Sequence, residues 1–256
     1  MQFGVCYDIN KALVDCPINT DYIEVWGRDI WAMDEVDFEE LCHAAKEKGV
    51  KAYSCCRLID SAFRLTGEDV DLPAIEAYCD KLFYRLSRLG VTMLVFGSAK
   101  AKNVPEGFPR EQAWEQLFTI GRMLAEKAAP YGQTVVVEPL RYKEVNIVNT
   151  VEEAAFYVRQ VNRENFRILV DFFHFDSNEE PWESLRKYGD LIVHAHFATA
   201  KTRTVPHGQE DWDFFERCMQ ALREIGYRGC VSFEGGVYDS VVLDGMLAQM
   251  KALDVK

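Results

Sequence analysis

The chain has 256 residues, 48% of them hydrophobic and 27% charged, and carries a formal net charge of −12. Its length suits one (β/α)8 barrel, with ample apolar material for a large core. The acidic excess argues against a nucleic-acid partner, because phosphate backbones recruit basic surfaces.

Eight apolar runs read as strands, in the order Gln2–Tyr7, Tyr22–Trp26, Lys51–Cys55, Thr92–Phe96, Thr134–Glu138, Ile168–Asp171, Ile192–His196 and Cys230–Glu234. Several are continuous rather than alternating, as expected of parallel strands covered by helices. Amphipathic stretches separate them: Val36–Lys48, Leu72–Leu89, Arg110–Ala129, Thr150–Val161, Trp212–Ile225 and Val241–Leu253. Gly49, Gly90, Gly132 and Gly226 each follow a helical stretch and precede a strand, matching the glycine preference just past a helix end. Asn149-Thr150-Val-Glu-Glu offers polar caps with acids in the first turn. The connections Asp8 to Asp21 and Pro181–Lys187 are too short for full helices. Repeated βα units without a linker predict one α/β domain over 1–256, a single (β/α)8 TIM barrel. A doubly wound open sheet is the competitor, but no GxGxxG or Walker sequence follows any strand.

The last four strand runs share a feature. Glu138 ends TVVVE, Asp171 ends ILVD, His194 and His196 close LIVHAH, and Glu234 closes VSFE ahead of two glycines. Each has an ordinary explanation: a rim carboxylate, a helix cap or a structural histidine. Barrel strands, however, direct their C-terminal ends to one mouth, where these groups would meet. A carboxylate there is costly to bury unless paired or metal-bound. His194 and His196 lie on the same strand face, because side chains repeat with period two. His174, three residues beyond Asp171, is expected on the outgoing loop.

The chain resembles the xylose isomerase-like TIM barrels, specifically the sugar phosphate isomerase/epimerase group that includes ketose 3-epimerases. The segments that carry the resemblance are Glu138-Pro-Leu with Glu144 and Asn149-Thr150, Asp171-Phe-Phe-His174, His194-Ala-His196 with Arg203 and Pro206, and Phe233-Glu234-Gly-Gly. It implies metal ligation by Glu138, Asp171, His196 and Glu234, with His194 as nearby support. It also implies that Glu144, His174 and Arg203 hold the substrate's terminal oxygens. Two departures bear on the substrate rather than the metal: RYKE precedes Val145 where relatives carry Asn-Arg and an aromatic, and the His196–Pro206 loop is one residue longer.

Such a donor set, oxygen and nitrogen without thiolate, suits one divalent ion, Mn²⁺ first, with Mg²⁺, Co²⁺ or Zn²⁺ as alternatives. The expected function is a metal-dependent isomerase or epimerase acting on a ketose or related sugar through an enediolate, with Glu138 and Glu234 as the acid/base pair. Inosose-type dehydration of a keto-polyol begins with the same proton abstraction. An endonuclease IV-like DNA-repair enzyme would need more than the five histidines present and a cationic groove. A non-catalytic sugar-binding barrel would not need two Glu and a metal. The loop Gly97–Gly107 brings Lys100 and Lys102 to the same mouth, where they would either bind a substrate phosphate or stay solvated. Tyr7 and Trp26 would cover the sugar's carbon face or pack in the core.

The eight cysteines form no CxxC pair and mostly sit in apolar patterns, so they read as buried free thiols in a reducing compartment. Adjacent Cys55 and Cys56 should face opposite sides of a strand. MQFGVCYDIN lacks the charge and apolar pattern of a signal peptide. No run approaches the roughly 18 apolar residues of a membrane span. A cytoplasmic protein is expected, with a small-molecule sugar as partner and neither nucleic acid nor membrane. The resemblance adds the prospect of a homo-oligomer, dimer or tetramer.

Overall fold

The apolar runs pair in sequence order, all parallel, and the eighth pairs back with the first. In the computed structural model, which describes residues 1–236 and 238–254, they form β1 Gln2–Cys6, β2 Tyr22–Trp26, β3 Ala52–Cys56, β4 Met93–Phe96, β5 Thr134–Val137, β6 Phe166–Asp171, β7 Ile192–Phe197 and β8 Cys230–Phe233. Closure removes both sheet edges, so a run such as TVVV is buried on either face without exposing unpaired backbone. The chain therefore folds as the (β/α)8 barrel its pattern predicts.

Period-two alternation divides the strand side chains into two layers. Leu94, Phe96, Val135, Val137, Ile168 and Val170 join the core between barrel and helices. Cys56, Met93, Val95, Val136 and Leu169 fill the barrel itself. Cys55 and Cys56 fall on opposite sides of this division, as expected. The helix Leu72–Arg88 shows how the outer layer is recruited: Ile75, Cys79, Leu82, Phe83 and Leu86 form one buried stripe, and Asp71 caps its start by accepting from the Ala74 N–H.

Boundaries shift where polar groups compete with the apolar pattern. The helix expected over Trp212–Ile225 runs over Gln209–Glu224. Its start is pulled forward because the Asp211 carboxylate accepts the backbone N–H groups of His207 and Gly208. The connection after Asp8 holds only the short helix Ile9–Ala12, and Glu183–Tyr188 occupies the other short connection. Gly27–Ala32, Ala99–Lys102 and Phe172–Ser177 are further short helices, too brief to show a helical period in the sequence. Gly49, Gly90, Gly132 and Gly226 all adopt positive φ, 65° to 83°, at the helix-to-strand joints. All eight cysteines are free. Among the described residues no helix is long and apolar enough to cross a membrane.

A buried carboxyl on the connection between β6 and β7 makes the fold pH-sensitive. Glu180 accepts the Val151 N–H at 2.8 Å, at the start of the helix Val151–Val161. Burial pushes its carboxyl up to about 7, although that hydrogen bond pulls the other way. An acid with a raised folded-state pKa stabilises the fold most below its unfolded value and loses that contribution as pH rises through the folded value. The term is at most about 3 kcal/mol. Glu180→Gln is therefore expected to gain stability relative to the parent as pH rises from 4.5 to about 7. Urea unfolding of both proteins across that range is the check, and parallel profiles would remove Glu180 from this role.

Candidate metal centre and active site

The strand ends of β5 to β8 carry the polar side chains that the apolar barrel cannot absorb. Glu138 follows β5, Asp171 ends β6, His196 lies near the end of β7 and Glu234 follows β8. All four occupy inward positions of the alternation, above Val136, Leu169, His194 and Ser232. Register levels them: Asp171 pairs with His196, and His196 with Ser232. One donor atom from each of the four lies within 4.8 Å of the others. His196 Nδ1 is 3.0 Å from Glu234 Oε2 and 3.9 Å from Glu138 Oε1. The four positions that the sequence marked as a ligand set are thus brought to one point.

Three carboxylates this close oppose one another, and their surroundings divide them. Burial first, then the charge of Glu234, pushes the Glu138 carboxyl well above its ordinary value. Burial alone would also raise Glu234, but its hydrogen bond with His196 and the Arg203 charge hold it at about 2. The Arg203 guanidinium lies 2.7 Å from Glu234 Oε2 and 3.2 Å from Asp171 Oδ2. Glu138 Oε1 is fully buried and has no hydrogen-bond partner among the described residues. An orphaned carboxylate oxygen facing two more carboxylates and an imidazole nitrogen is a hard, oxygen-rich donor set that fits a divalent cation. Gly97 contributes by lacking a side chain, since a Cβ there would run into Glu138 Oε2.

Beneath this cluster lies a residue that the sequence reading missed. Glu24, in β2, is fully buried. Its Oε2 accepts from Ser54 Oγ at 2.5 Å and Ser232 Oγ at 2.8 Å, and lies 3.0 Å from His194 Nε2. Its Oε1 lies 3.0 Å from His196 Nε2, off the N–H direction. His196 thus turns Nδ1 to the four-donor cluster and Nε2 to Glu24, the carboxylate–imidazole arrangement that orients metal-binding histidines. Burial would raise the Glu24 pKa, but the two histidines hold it well below the usual carboxylate range. His194 sits one layer deeper as support, its ring centroid 5.2 Å from that of His196. A Glu inside the strand YIEVW was the available signal, obscured because it does not end the run.

A cavity of about 1050 Å³ opens above the cluster, and Tyr7, Trp26, Lys100, Glu144, His174 and Arg203 are among its walls. His174 stands on the helix Phe172–Ser177 and not on a loop, because the Asp171 carboxylate accepts the Phe173 N–H and caps that turn. Its Nδ1 accepts the Arg141 N–H at 3.4 Å, leaving Nε2 3.5 Å from Asp171 Oδ2 and 3.8 Å from Glu138 Oε1. Burial, ahead of all other causes, lowers its pKa. Arg141 also donates from Nε to Glu144 Oε1 at 2.7 Å, so the unusual RYKE segment serves to aim Glu144. Arg203, at φ +53°, rides a loop closed by Thr199 and Thr204, and both Arg141 and Arg203 stack on Phe173, at 4.7 and 4.9 Å.

Lys102 does not reach the mouth as expected. It is fully buried, with Nζ 3.3 Å from the Glu138 carbonyl oxygen, because the helix Ala99–Lys102 turns it inward over Phe96. Lys100 remains on the cavity wall. Replacing Glu24 with Gln keeps an acceptor for Ser54 and Ser232 but removes the charge beside both histidines. Glu24→Gln is expected to weaken divalent-ion binding by about 10–100-fold, measurable by calorimetric titration with Mn²⁺. An unchanged affinity would uncouple Glu24 from the cluster.

With the barrel and its cluster described, comparison with known proteins gives consistent matches. The family model for the xylose isomerase-like TIM barrel matches residues 18–250. An L-ribulose 3-epimerase from Methylomonas sp. (strain DH-1) is 29% identical over 235 residues, 89% of this chain and 77% of that one. A 3-dehydro-D-guloside 4-epimerase from Escherichia coli (strain K12) is 25% identical over 227 residues, 84% and 85% of the two chains. A D-psicose 3-epimerase from Clostridium cellulolyticum H10, solved with D-tagatose, superposes with a TM-score of 0.81 at 21% identity, covering 100% of this chain and 98% of the other. Since the family model spans nearly the whole barrel, the chain belongs to the xylose isomerase-like TIM barrel family.

Proposed function

We propose that this enzyme is a divalent-metal-dependent epimerase or isomerase of a ketose or related keto sugar, with Glu138 and Glu234 as its acid/base pair. The observation that carries this reading is the convergence of Glu138, Asp171, His196 and Glu234 on one point under a cavity of about 1050 Å³. Relatives named as 3-epimerases and a 4-epimerase of keto sugars support it. Glu138, Asp171, His196 and Glu234 would hold the ion, with Mn²⁺, Mg²⁺ or Co²⁺ the best match to the donors. When bound, that ion supplies Lewis acidity to a carbonyl and its neighbouring hydroxyl, which acidifies the adjacent C–H.

The chain's own residues account for the rest. Glu138 and Glu234 leave the barrel from non-neighbouring strands, so they approach a substrate from different sides. One takes the proton from the carbon beside the carbonyl and the other returns it, inverting that carbon. His174, with Nδ1 engaged by Arg141, has Nε2–H free to donate to a substrate oxygen. Glu144 and Arg203 offer an acceptor and a donor for further hydroxyls, and Tyr7 and Trp26 offer apolar surface. Dehydration of a keto-polyol starts with the same proton transfer, and product analysis separates it from epimerisation.

Purified protein is expected to bind about one divalent ion per chain and to catalyse ketose-dependent exchange of a substrate C–H in D₂O. Glu138→Gln and Glu234→Gln should each reduce that exchange by about 10²–10⁴-fold. NMR of a panel of free ketoses, ketose phosphates and inososes is the measurement. Protein that binds no divalent ion, or exchange that survives both substitutions, would overturn the assignment.

A further inference from the structure

Cys6 and Cys56 have no task in the proton-transfer scheme, yet both line the active-site cavity. Cys6 ends β1 and Cys56 ends β3, and both turn inward on either side of β2. Their sulfur atoms and a Glu234 carboxylate oxygen all lie within 4.8 Å of one another. Cys6 belongs to a second such group with Glu24 and His196. The setting differs from that of Cys55, Cys79 and Cys218, which sit among apolar side chains of the outer core.

We propose that Cys6, Cys56 and Glu234 form a second cation site, specific for a soft or borderline divalent ion such as Zn²⁺ or Cd²⁺, beside the four-donor cluster and sharing Glu234 with it. Two thiolates and one carboxylate oxygen give three protein donors, the number that tetrahedral zinc uses when one position stays open. Thiolates discriminate by softness: Mn²⁺ and Mg²⁺ prefer the oxygen-rich cluster, whereas Zn²⁺ and Cd²⁺ gain from sulfur. Each thiol that binds as thiolate releases its proton to solvent, and no electron transfer is involved. An ion held here draws on the Glu234 carboxylate, so Zn²⁺ or Cd²⁺ opposes the hard ion at the neighbouring cluster. The site stands on geometry alone; only its opposition to the hard ion rests on the function proposed above.

Titration of the protein with Cd²⁺, with and without Mn²⁺ present, tests this without reference to turnover. A thiolate-to-cadmium charge-transfer band in the ultraviolet is expected to saturate at one ion per chain. Cys6→Ser and Cys56→Ser should each weaken Cd²⁺ binding about tenfold or more and diminish the band, with Mn²⁺ binding retained. Glu234→Gln should weaken Cd²⁺ binding and keep the band. Mapping of alkylated cysteines in the unsubstituted protein gives a reading independent of variant folding: Cd²⁺ should shield Cys6, the more exposed of the pair. A missing band, a band unchanged in the Cys6→Ser/Cys56→Ser protein, or shielding confined to Cys16 and Cys42 would overturn the proposal.

Discussion

The structure turns on the cost of placing negative charge at the end of an apolar barrel. Glu24, Glu138, Asp171 and Glu234 all project into a space whose floor is Val136 and Leu169. Unscreened, such charges would neutralise or expel one another. The surrounding residues instead supply positive charge and donors at graded depth. His194 and His196 sit against Glu24, Ser54 and Ser232 donate to it, and Arg203 reaches over Asp171 and Glu234. Lys102 adds a buried ammonium behind the end of β5, its pKa lowered by burial to about 8. Glu138 Oε1 remains an acceptor that no donor among the described residues serves.

That gradation explains why the two proposed catalytic carboxylates differ. They are the same residue type at equivalent strand ends, but Glu234 receives His196 and Arg203 while Glu138 faces burial and two like charges. A pair of carboxyls with opposed pKa tendencies is the arrangement from which acid and base roles are built. The asymmetry comes from β7 and the loop after it, which deliver both His196 and Arg203 to the Glu234 side. Barrel topology alone does not create it.

Much of the fold was legible because parallel strands under helices leave largely apolar runs, several of them unbroken, and all eight ended in polar or glycine punctuation. The four-donor cluster was legible for a related reason: an acid at the end of TVVV or VSF interrupts a strong pattern. Glu24 escaped notice because it lies inside its strand, where only three-dimensional neighbours such as Ser54 and His194 explain it. Arg141 was invisible as a positioning residue because its partners, Glu144 and His174, approach through a turn and a short helix. Lys102 was misplaced because the helix Ala99–Lys102 is one turn long, and a single turn rotates neighbouring lysines to opposite environments without leaving a periodic trace.

The two halves of the barrel mouth carry different side chains. The segments after β5 to β8 bring the proposed ligands and proton carriers, and their backbone positions are tied to strand register. The segments after β1 to β4 bring Tyr7, Trp26, Arg57 and Lys100 to the opposite cavity wall. Of these, Arg57 adopts φ +52° and places its guanidinium over the Trp26 ring at 5.3 Å. Relatives that invert different carbons, such as a ribulose 3-epimerase and a guloside 4-epimerase, align with this chain at comparable identity. A single donor cluster can act on different carbons only if the sugar is seated differently above it. The cavity offers residues for that seating on both sides: Glu144, His174 and Arg203 from the segments after β5 to β7, and Tyr7, Trp26, Arg57 and Lys100 from those after β1 to β4, where Cys6 and Cys56 also face the cavity.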